Sequence, residues 1–227
     1  MVDRADADPA LLRDELRSIR TINRRFGGVA ALQNALLPMV LHTASERPLE
    51  ILDLATGSGD QLVALADALQ QRGRRAIMTA IDRNERVLDV ARTLLAGLPN
   101  IRIEQRDILS LPYPDKSFDF VLCSLTLHHF SHTDAVRILR EMNRLSRIGF
   151  VVNDLSRSYT AAFMAWLYTR LTTRNIMTRF DAVASVFASF TKEELLSLAS
   201  EAGIDGFRVY SAPLFRLVGV CLQRSQS

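Results

Sequence analysis

The chain has 227 residues, a formal net charge of +3 and 48% hydrophobic residues. That length suits a single α/β domain with a sizeable core, and that hydrophobic share excludes a disordered chain. The basic residues are almost all arginines, clustered only in "INRRF" and "RGRR", so a nucleic-acid partner is not expected.

The first residues, "MVDRADADPALLRDELRS", lack an apolar signal core. No later stretch approaches the roughly 20 apolar residues that span a bilayer; the cytoplasm is the expected location. Helical periodicity runs over 8–43, broken at Gly27-Gly28. From Pro48 onward, strands and helices alternate. Strands are predicted over 49–55 ("LEILDLA"), 76–82 ("AIMTAID"), 101–107 ("IRIEQRD"), 118–124 ("FDFVLCS") and 149–155 ("GFVVNDL"). Helices fall between them over 60–73, 84–98 and 132–145. This alternation means βαβ units and a mostly parallel sheet. Residues 156–190 read as helices and loops with many aromatics. A helix follows over 191–203, with Thr191 as its cap, Glu194 three residues on and Gly203 at its end. Two strands joined at Ala212-Pro213 close the chain. The fold expected is an α/β, Rossmann-like, seven-stranded, mostly parallel sheet with an antiparallel last strand. Within one domain, 1–47 supplies helices over a ligand, 48–154 the binding core, 155–190 a helical cap, and 191–227 the closing helix and hairpin. Cys123 and Cys221 sit in apolar strands and are expected as reduced, buried thiols, with no metal site.

The stretch "ILDLATGSGD" places a glycine turn at the end of a strand. In open α/β sheets, ligands bind at the carboxyl ends of the strands. A dinucleotide fingerprint needs a third glycine, and Leu62 stands there. A phosphate loop needs Gly-Lys-Ser/Thr, which is absent from this turn. Asp60 opens the following helix and repels a pyrophosphate. The turn therefore suits a nucleoside without phosphates, or it serves only as a connection. Asp82 ends the second strand, where it can accept from ribose hydroxyls or cap the next helix. Asp107 ends the third strand, where it can accept from an adenine amino group or stabilise a turn, with Ile108 beside it.

Together "ILDLATGSGD", "AIDRNERVL" and "RDILSLPYPDKSFDFVLCSLTLHHF" resemble a class I S-adenosylmethionine-dependent methyltransferase of the small-molecule type. The first stretch is especially similar to the ubiquinone/menaquinone methyltransferase group. The resemblance implies that Asp53, Ala55, Thr56, Gly57 and Gly59 hold the methionine part of the cofactor. It places Asp82 and Arg83 at the ribose, Asp107 and Ile108 at the adenine, and Ser124 alongside. The product would be S-adenosylhomocysteine. Ala55 stands where many members have glycine, and "RLSRIGF" replaces a common Arg-Pro-Gly-Gly turn.

His128 and His129 follow the fourth strand and Asp154 ends the fifth, all on the same sheet edge. Histidine can take a proton from a hydroxyl as a methyl arrives. His128 is the first choice of base, His129 the second, and Asp154 the partner; a His-His pair without catalytic duty is the competing reading. His132 is expected to cap the next helix and His42 to lie at the surface. In the cap, Tyr159, Phe163, Trp166 and Tyr168 do not all fit one helical stripe, so some belong to the core. An amphipathic cap over an apolar acceptor pocket is expected, with Tyr159, Phe163 and Trp166 assigned to the acceptor, and Arg179 and Asp181 either orient the acceptor or form a surface ion pair. "AAFMAWLY" also suits weak contact with a membrane surface if the acceptor is a lipid. Asn23 and Arg24, near the Gly27-Gly28 hinge, are assigned to the methionine carboxylate. The leading expectation is methylation of a phenolic or polyketide-like hydroxyl in secondary metabolism. C-methylation of a quinol, a NAD-dependent oxidoreductase and a non-catalytic cofactor-binding module remain as alternatives, and the oligomeric state stays open.

Overall fold

The computed structural model describes residues 9–173 and 175–223. The reading of residues 1–8, as free of a signal core and as the start of the first helix, lies outside the described residues. In chain order the elements are α1 (Pro9–Arg25), α2 (Gly28–His42), β1 (Leu49–Leu54), α3 (Asp60–Gln70), β2 (Ala76–Asp82), α4 (Glu85–Leu95), β3 (Ile101–Gln105) and β4 (Phe118–Ser124). A short 3-10 helix (Leu127–His129) follows, then α5 (His132–Leu145), β5 (Ser146–Leu155), α6 (Tyr159–Thr172), α7 (Ile176–Ala188), α8 (Lys192–Glu201), β6 (Arg208–Ala212) and β7 (Arg216–Leu222).

The strands form one seven-stranded sheet in the order β3-β2-β1-β4-β5-β7-β6. Only β7 runs against its neighbours. β1 pairs in parallel with β2 on one side and β4 on the other. The order reverses there, and the connections leave to opposite faces, opening a crevice at the strands' carboxyl ends. Continuous apolar runs build the central strands because both faces are covered. On one face α2, α3 and α4 bury Leu36, Val40, Leu62, Leu65 and Leu95 against Ile51, Phe120 and Val151. On the other, α5 and α8 bury Ile138, Leu139, Leu195 and Leu198 against Leu52, Val121 and Phe150.

Three local features differ from the sequence reading or sharpen it. Ser131, not His132, caps α5: its side chain accepts from the Asp134 amide. His132 instead pairs with Glu201 at 2.9 Å on the surface. β5 starts at Ser146 rather than residue 149, because "RLSRIGF" carries no turn and α5 passes straight into the strand. Gly149 lies in that strand because a Cβ there would meet Cys221 O at 2.4 Å and Met39 Cε at 2.6 Å. α8 carries the expected capping box, with the Thr191 and Glu194 side chains bonding each other's amides. Cys123 and Cys221 are both free and buried.

Candidate active site

A cavity of about 520 Å³ opens at the carboxyl edge of the sheet, between the switch point and the cap. α1 forms one wall. Leu12 and Leu16 pack on Val87 of α4, which turns Leu16, Ile19, Ile22 and Asn23 toward the cavity. The cap forms the roof. α6 and α7 pack through Ala161, Ala162 and Val186, and Tyr168 meets Phe26 edge-on at 4.6 Å.

The floor begins with the glycine turn. Gly57 and Gly59 take left-handed backbones, φ 57° and 79°, which glycine adopts without steric cost. At Gly59 a Cβ would also lie 2.8 Å from Leu95 Cδ1, so the residue sets how closely α3 approaches α4. Leu62 is fully buried in α3. Ala55 too is left-handed, φ 49°, the conformation that suits the glycine common at this position.

Asp53 is buried beside this turn and accepts from Thr56 Oγ1 at 2.7 Å. Burial pushes its carboxyl up to about 7; the Thr56 hydrogen bond pulls it back, and the Asp60 and Asp82 charges push it further. The folded state therefore binds more protons than the unfolded chain from about pH 4 to pH 7, and the Asp53 contribution to stability falls as pH rises through that window. Thermal melts of the ligand-free protein at pH 5 and pH 7.5 check this. Asp53→Asn should gain at least about 3 °C relative to wild type on going to the higher pH; parallel melting curves would refute it.

Asp82 Oδ2 accepts from the Gly57 amide at 3.1 Å and Oδ1 from the Asn84 amide at 3.0 Å. Asn84, not Asp82, caps α4. Asp82 thus ties the end of β2 to the glycine turn. Asp107 is exposed and makes a turn, accepting from the Leu109 amide at 2.9 Å, yet it also lines the cavity with Arg83 and Ile108. Several buried polar atoms among the cavity-lining residues lack a protein partner: Asp60 Oδ2, both amide atoms of Gln61, Ser124 Oγ, Thr178 Oγ1 and Arg216 Nη1. Buried polar atoms without partners are costly. Asp60, Gln61 and Ser124 offer acceptors and donors at the floor and Thr178 and Arg216 from other walls, which fits a polar ligand such as an amino acid joined to a nucleoside.

His128 and Asp154 form a buried pair beyond β4 and β5. His128 Nδ1 lies 2.6 Å from Asp154 Oδ1, and the His128 amide donates to Oδ2 at 3.1 Å. Burial works to raise the Asp154 carboxyl, but His128 and the Leu155 and His128 amides outweigh it and hold it below the ordinary carboxylate range. An ionised Asp154 accepts the Nδ1 proton and leaves Nε2 as the basic nitrogen. His128 lines the cavity, while Asp154 stands behind it. His129 is exposed, lines the cavity and lies 4.1 Å from the His128 ring. His42 is exposed, as expected.

Several residues proposed from the sequence fall elsewhere. Arg24 is exposed and outside the cavity, because one step along α1 from buried Asn23 turns the side chain through about 100°. Tyr159, Phe163 and Trp166 point outward, at 86%, 54% and 47% exposure. Met164, Ala165 and Tyr168 on the other faces of α6 line the cavity instead. Arg179 bonds the Thr173 and Arg170 carbonyls and fastens the α6–α7 connection. Asp181 does line the cavity, whereas Gly59 is not among its lining residues and packs against Leu95. Gln61, Thr178 and Arg216 were not anticipated. Arg216 carried the one visible signal, a lone arginine inside "LFRLVGV".

The family model described as a methyltransferase domain matches residues 51–149. The demethylmenaquinone methyltransferase of Staphylococcus aureus is 31% identical over 173 residues, 70% of this chain and 69% of the relative. Among solved structures, a SAM-dependent methyltransferase from Aquifex aeolicus superposes with a TM-score of 0.64 at 17% identity, covering 96% of this chain and 99% of that one. The CMeT domain of the citrinin polyketide synthase reaches 0.65 at 14% identity, covering 86% and 52%; these two likenesses concern the fold. By its sequence relationship and its sheet order, the chain belongs to the class I S-adenosylmethionine-dependent methyltransferases acting on small molecules.

Proposed function

We propose that this enzyme methylates a hydroxyl-bearing aromatic or polyketide-like small molecule, with His128 as the general base. When bound, S-adenosylmethionine supplies an electrophilic methyl group on a sulfonium. Asp53 and the turn through Thr56, Gly57 and Gly59 would hold its methionine part, with Asn23 at the wall. Asp82 would hold the ribose, and Ile108 and Asp107 the adenine. The unpartnered atoms of Asp60, Gln61 and Ser124 support this placement.

The observation that carries the reading is the buried His128–Asp154 pair, 2.6 Å apart, at the cavity wall. Asp154 fixes the ring's tautomer and orientation. Nε2 takes the acceptor's hydroxyl proton while the oxygen forms its bond to the methyl carbon, and the carbon–sulfur electron pair stays with sulfur. α1 and the cap exclude water and align the partners, the main contribution a protein makes to an in-line displacement. The test is incubation with S-adenosylmethionine and a panel of phenols and quinols, followed by mass and carbon NMR analysis. A new O-methyl is expected. Binding of S-adenosylhomocysteine without methylation of any panel member would leave a binding module.

A second reading, C-methylation of a quinol, is favoured by the relationship to the Staphylococcus aureus enzyme. His128 would serve it equally, because removing a ring hydroxyl proton makes the ortho carbon nucleophilic. A methyl on ring carbon in the same NMR assay would decide for it.

The outer face of the cap supports an amphiphilic acceptor drawn from a lipid surface. Tyr159, Phe163, Trp166, Leu171, Ile176, Phe180 and Phe187 are all exposed. Within 156–190 the sequence holds four arginines and one acid, Asp181, which faces the cavity; among the described residues Arg170 is exposed and Arg157 pairs with Glu194. A helix apolar on two faces with a cationic fringe suits an anionic bilayer surface. Trp166 is the only tryptophan. Its emission should shift to the blue with vesicles rich in anionic phospholipid and stay unchanged with zwitterionic vesicles; no shift with either would refute the contact.

A further inference from the structure

Arg216 is 1% exposed, sits at the start of β7 and lines the cavity. Its Nε donates to the Phe26 carbonyl at 2.9 Å, where α1 meets α2. Gly28 packs beside it: a Cβ there would lie 3.4 Å from the guanidinium carbon. Nη1 is buried and has no partner among the described residues. Asp154 is the neighbouring acid, beside Leu155, which is the register partner of Arg216. Both Asp154 oxygens are already engaged: Oδ1 with His128 Nδ1 and the Leu155 amide, Oδ2 with the His128 amide. Among the described residues, the guanidinium therefore has a hydrogen bond to hold it in place and Asp154 nearby, but no anion of its own. A buried cation left so is costly unless something completes it. Thr178 Oγ1, also buried and unpartnered, lines the same cavity from α7. Burial lowers the Arg216 pKa to about 10, with Asp154 opposing that shift, so the group stays charged at neutral pH.

We propose that Arg216, with the Thr178 hydroxyl, forms an anion subsite for a carboxylate on the acceptor, so that the substrate is a hydroxy acid with an apolar body. This rests on the cavity being the methyl-acceptor site. Arginine suits the task because its N–H groups match carboxylate oxygens and its charge is permanent. Anchoring the acid on Arg216 leaves the acceptor hydroxyl for His128 and the apolar body for Met164, Ala165 and Tyr168. It also balances charge: when His128 takes a proton, Arg216 and His128 together carry one cation more than Asp154 neutralises.

The test uses two probes, an alkylsalicylate and the alkylphenol left when its carboxylate is removed. Calorimetry on protein saturated with S-adenosylhomocysteine should give the alkylsalicylate at least about tenfold tighter binding. Arg216→Met should erase that preference to within about twofold, without changing affinity for alkylphenol or S-adenosylhomocysteine. Arg216→Lys should keep part of it. Equal binding of the two probes by the wild-type protein overturns the proposal, even if Arg216→Met fails to fold. So does an Arg216→Met protein that loses S-adenosylhomocysteine but keeps the preference, since the guanidinium would then serve the cofactor's carboxylate. If the Arg216-dependent preference is found and neither probe is methylated, the anion subsite stands and the acceptor reading fails for this class. If both probes are methylated with equal efficiency, the acceptor reading stands and the anion subsite falls.

Discussion

His128→Ala lowers turnover by about 10² to 10⁴-fold, the range that a positioned general base contributes, and leaves the affinity for S-adenosylhomocysteine within about twofold. The expectation follows from the wiring of the pair. Nδ1 is committed to Asp154 at 2.6 Å, so the basic lone pair belongs to Nε2 at the cavity. Asp154→Asn, which offers one acceptor oxygen where two are used, should also lower turnover, because an amide can bond either tautomer of the ring and no longer holds Nε2 as the base. The two effects should not add, since Asp154 acts through His128. Single-turnover kinetics with saturating acceptor separate this from weakened binding. Full turnover in both variants would mean that alignment alone drives transfer. The pair also has a stability signature. Because the Asp154 carboxyl is held below its ordinary range, its contribution is complete above that range and is lost as pH falls below it. Asp53 acts in the opposite direction between about pH 4 and 7, so the two can be told apart by where on the pH axis each variant changes the melt.

Asp82→Asn weakens binding of both S-adenosylmethionine and S-adenosylhomocysteine by about 10- to 100-fold, while kcat at saturation changes little. Each hydrogen bond to a charged carboxylate is worth about 1.5–3 kcal/mol, and each 1.4 kcal/mol is a factor of ten. Two ribose hydroxyls would donate hydrogen bonds to this carboxylate, which the Gly57 and Asn84 amides already hold at 3.1 and 3.0 Å. Those amides pre-position the acid, so little ordering cost remains to be met on binding. Calorimetry with either ligand provides the measurement, and circular dichroism of the variant establishes that the turn survives. Affinity within threefold of wild type, on folded protein, would remove Asp82 from the ribose.

Much of the site lay in short windows of sequence. The glycine turn and Asp82 each close a strand of the parallel half of the sheet, and Asp107, expected as the end of a strand over 101–107, lies in the turn two residues past β3; strands in such a sheet end on one edge. Their convergence follows from alternation alone. His128 and Asp154 were legible for the same reason, although 26 residues separate them. The cap was not legible in this way. α6 is apolar on several faces, so no period says which aromatics face inward: of the four read from the sequence, Tyr168 lines the cavity with Met164 and Ala165, while Tyr159, Phe163 and Trp166 face out. Of the pair read from α1, Asn23 faces the cavity and Arg24, a single helical step on, faces away.

What the sequence determined by itself was local: the order of elements, the parallel sheet and the acids at its strand ends, because periodicity and turn chemistry act over a few residues. What only the tertiary structure decided was which faces turn inward and what meets across the chain. Arg216 reaches the Phe26 carbonyl 190 residues away and shares a cavity with Thr178 of the cap and His128 of the sheet edge. No local pattern encodes that meeting. It arises because β7 enters the sheet beside β5 in reverse and brings its first residue to the edge where all the other strands end.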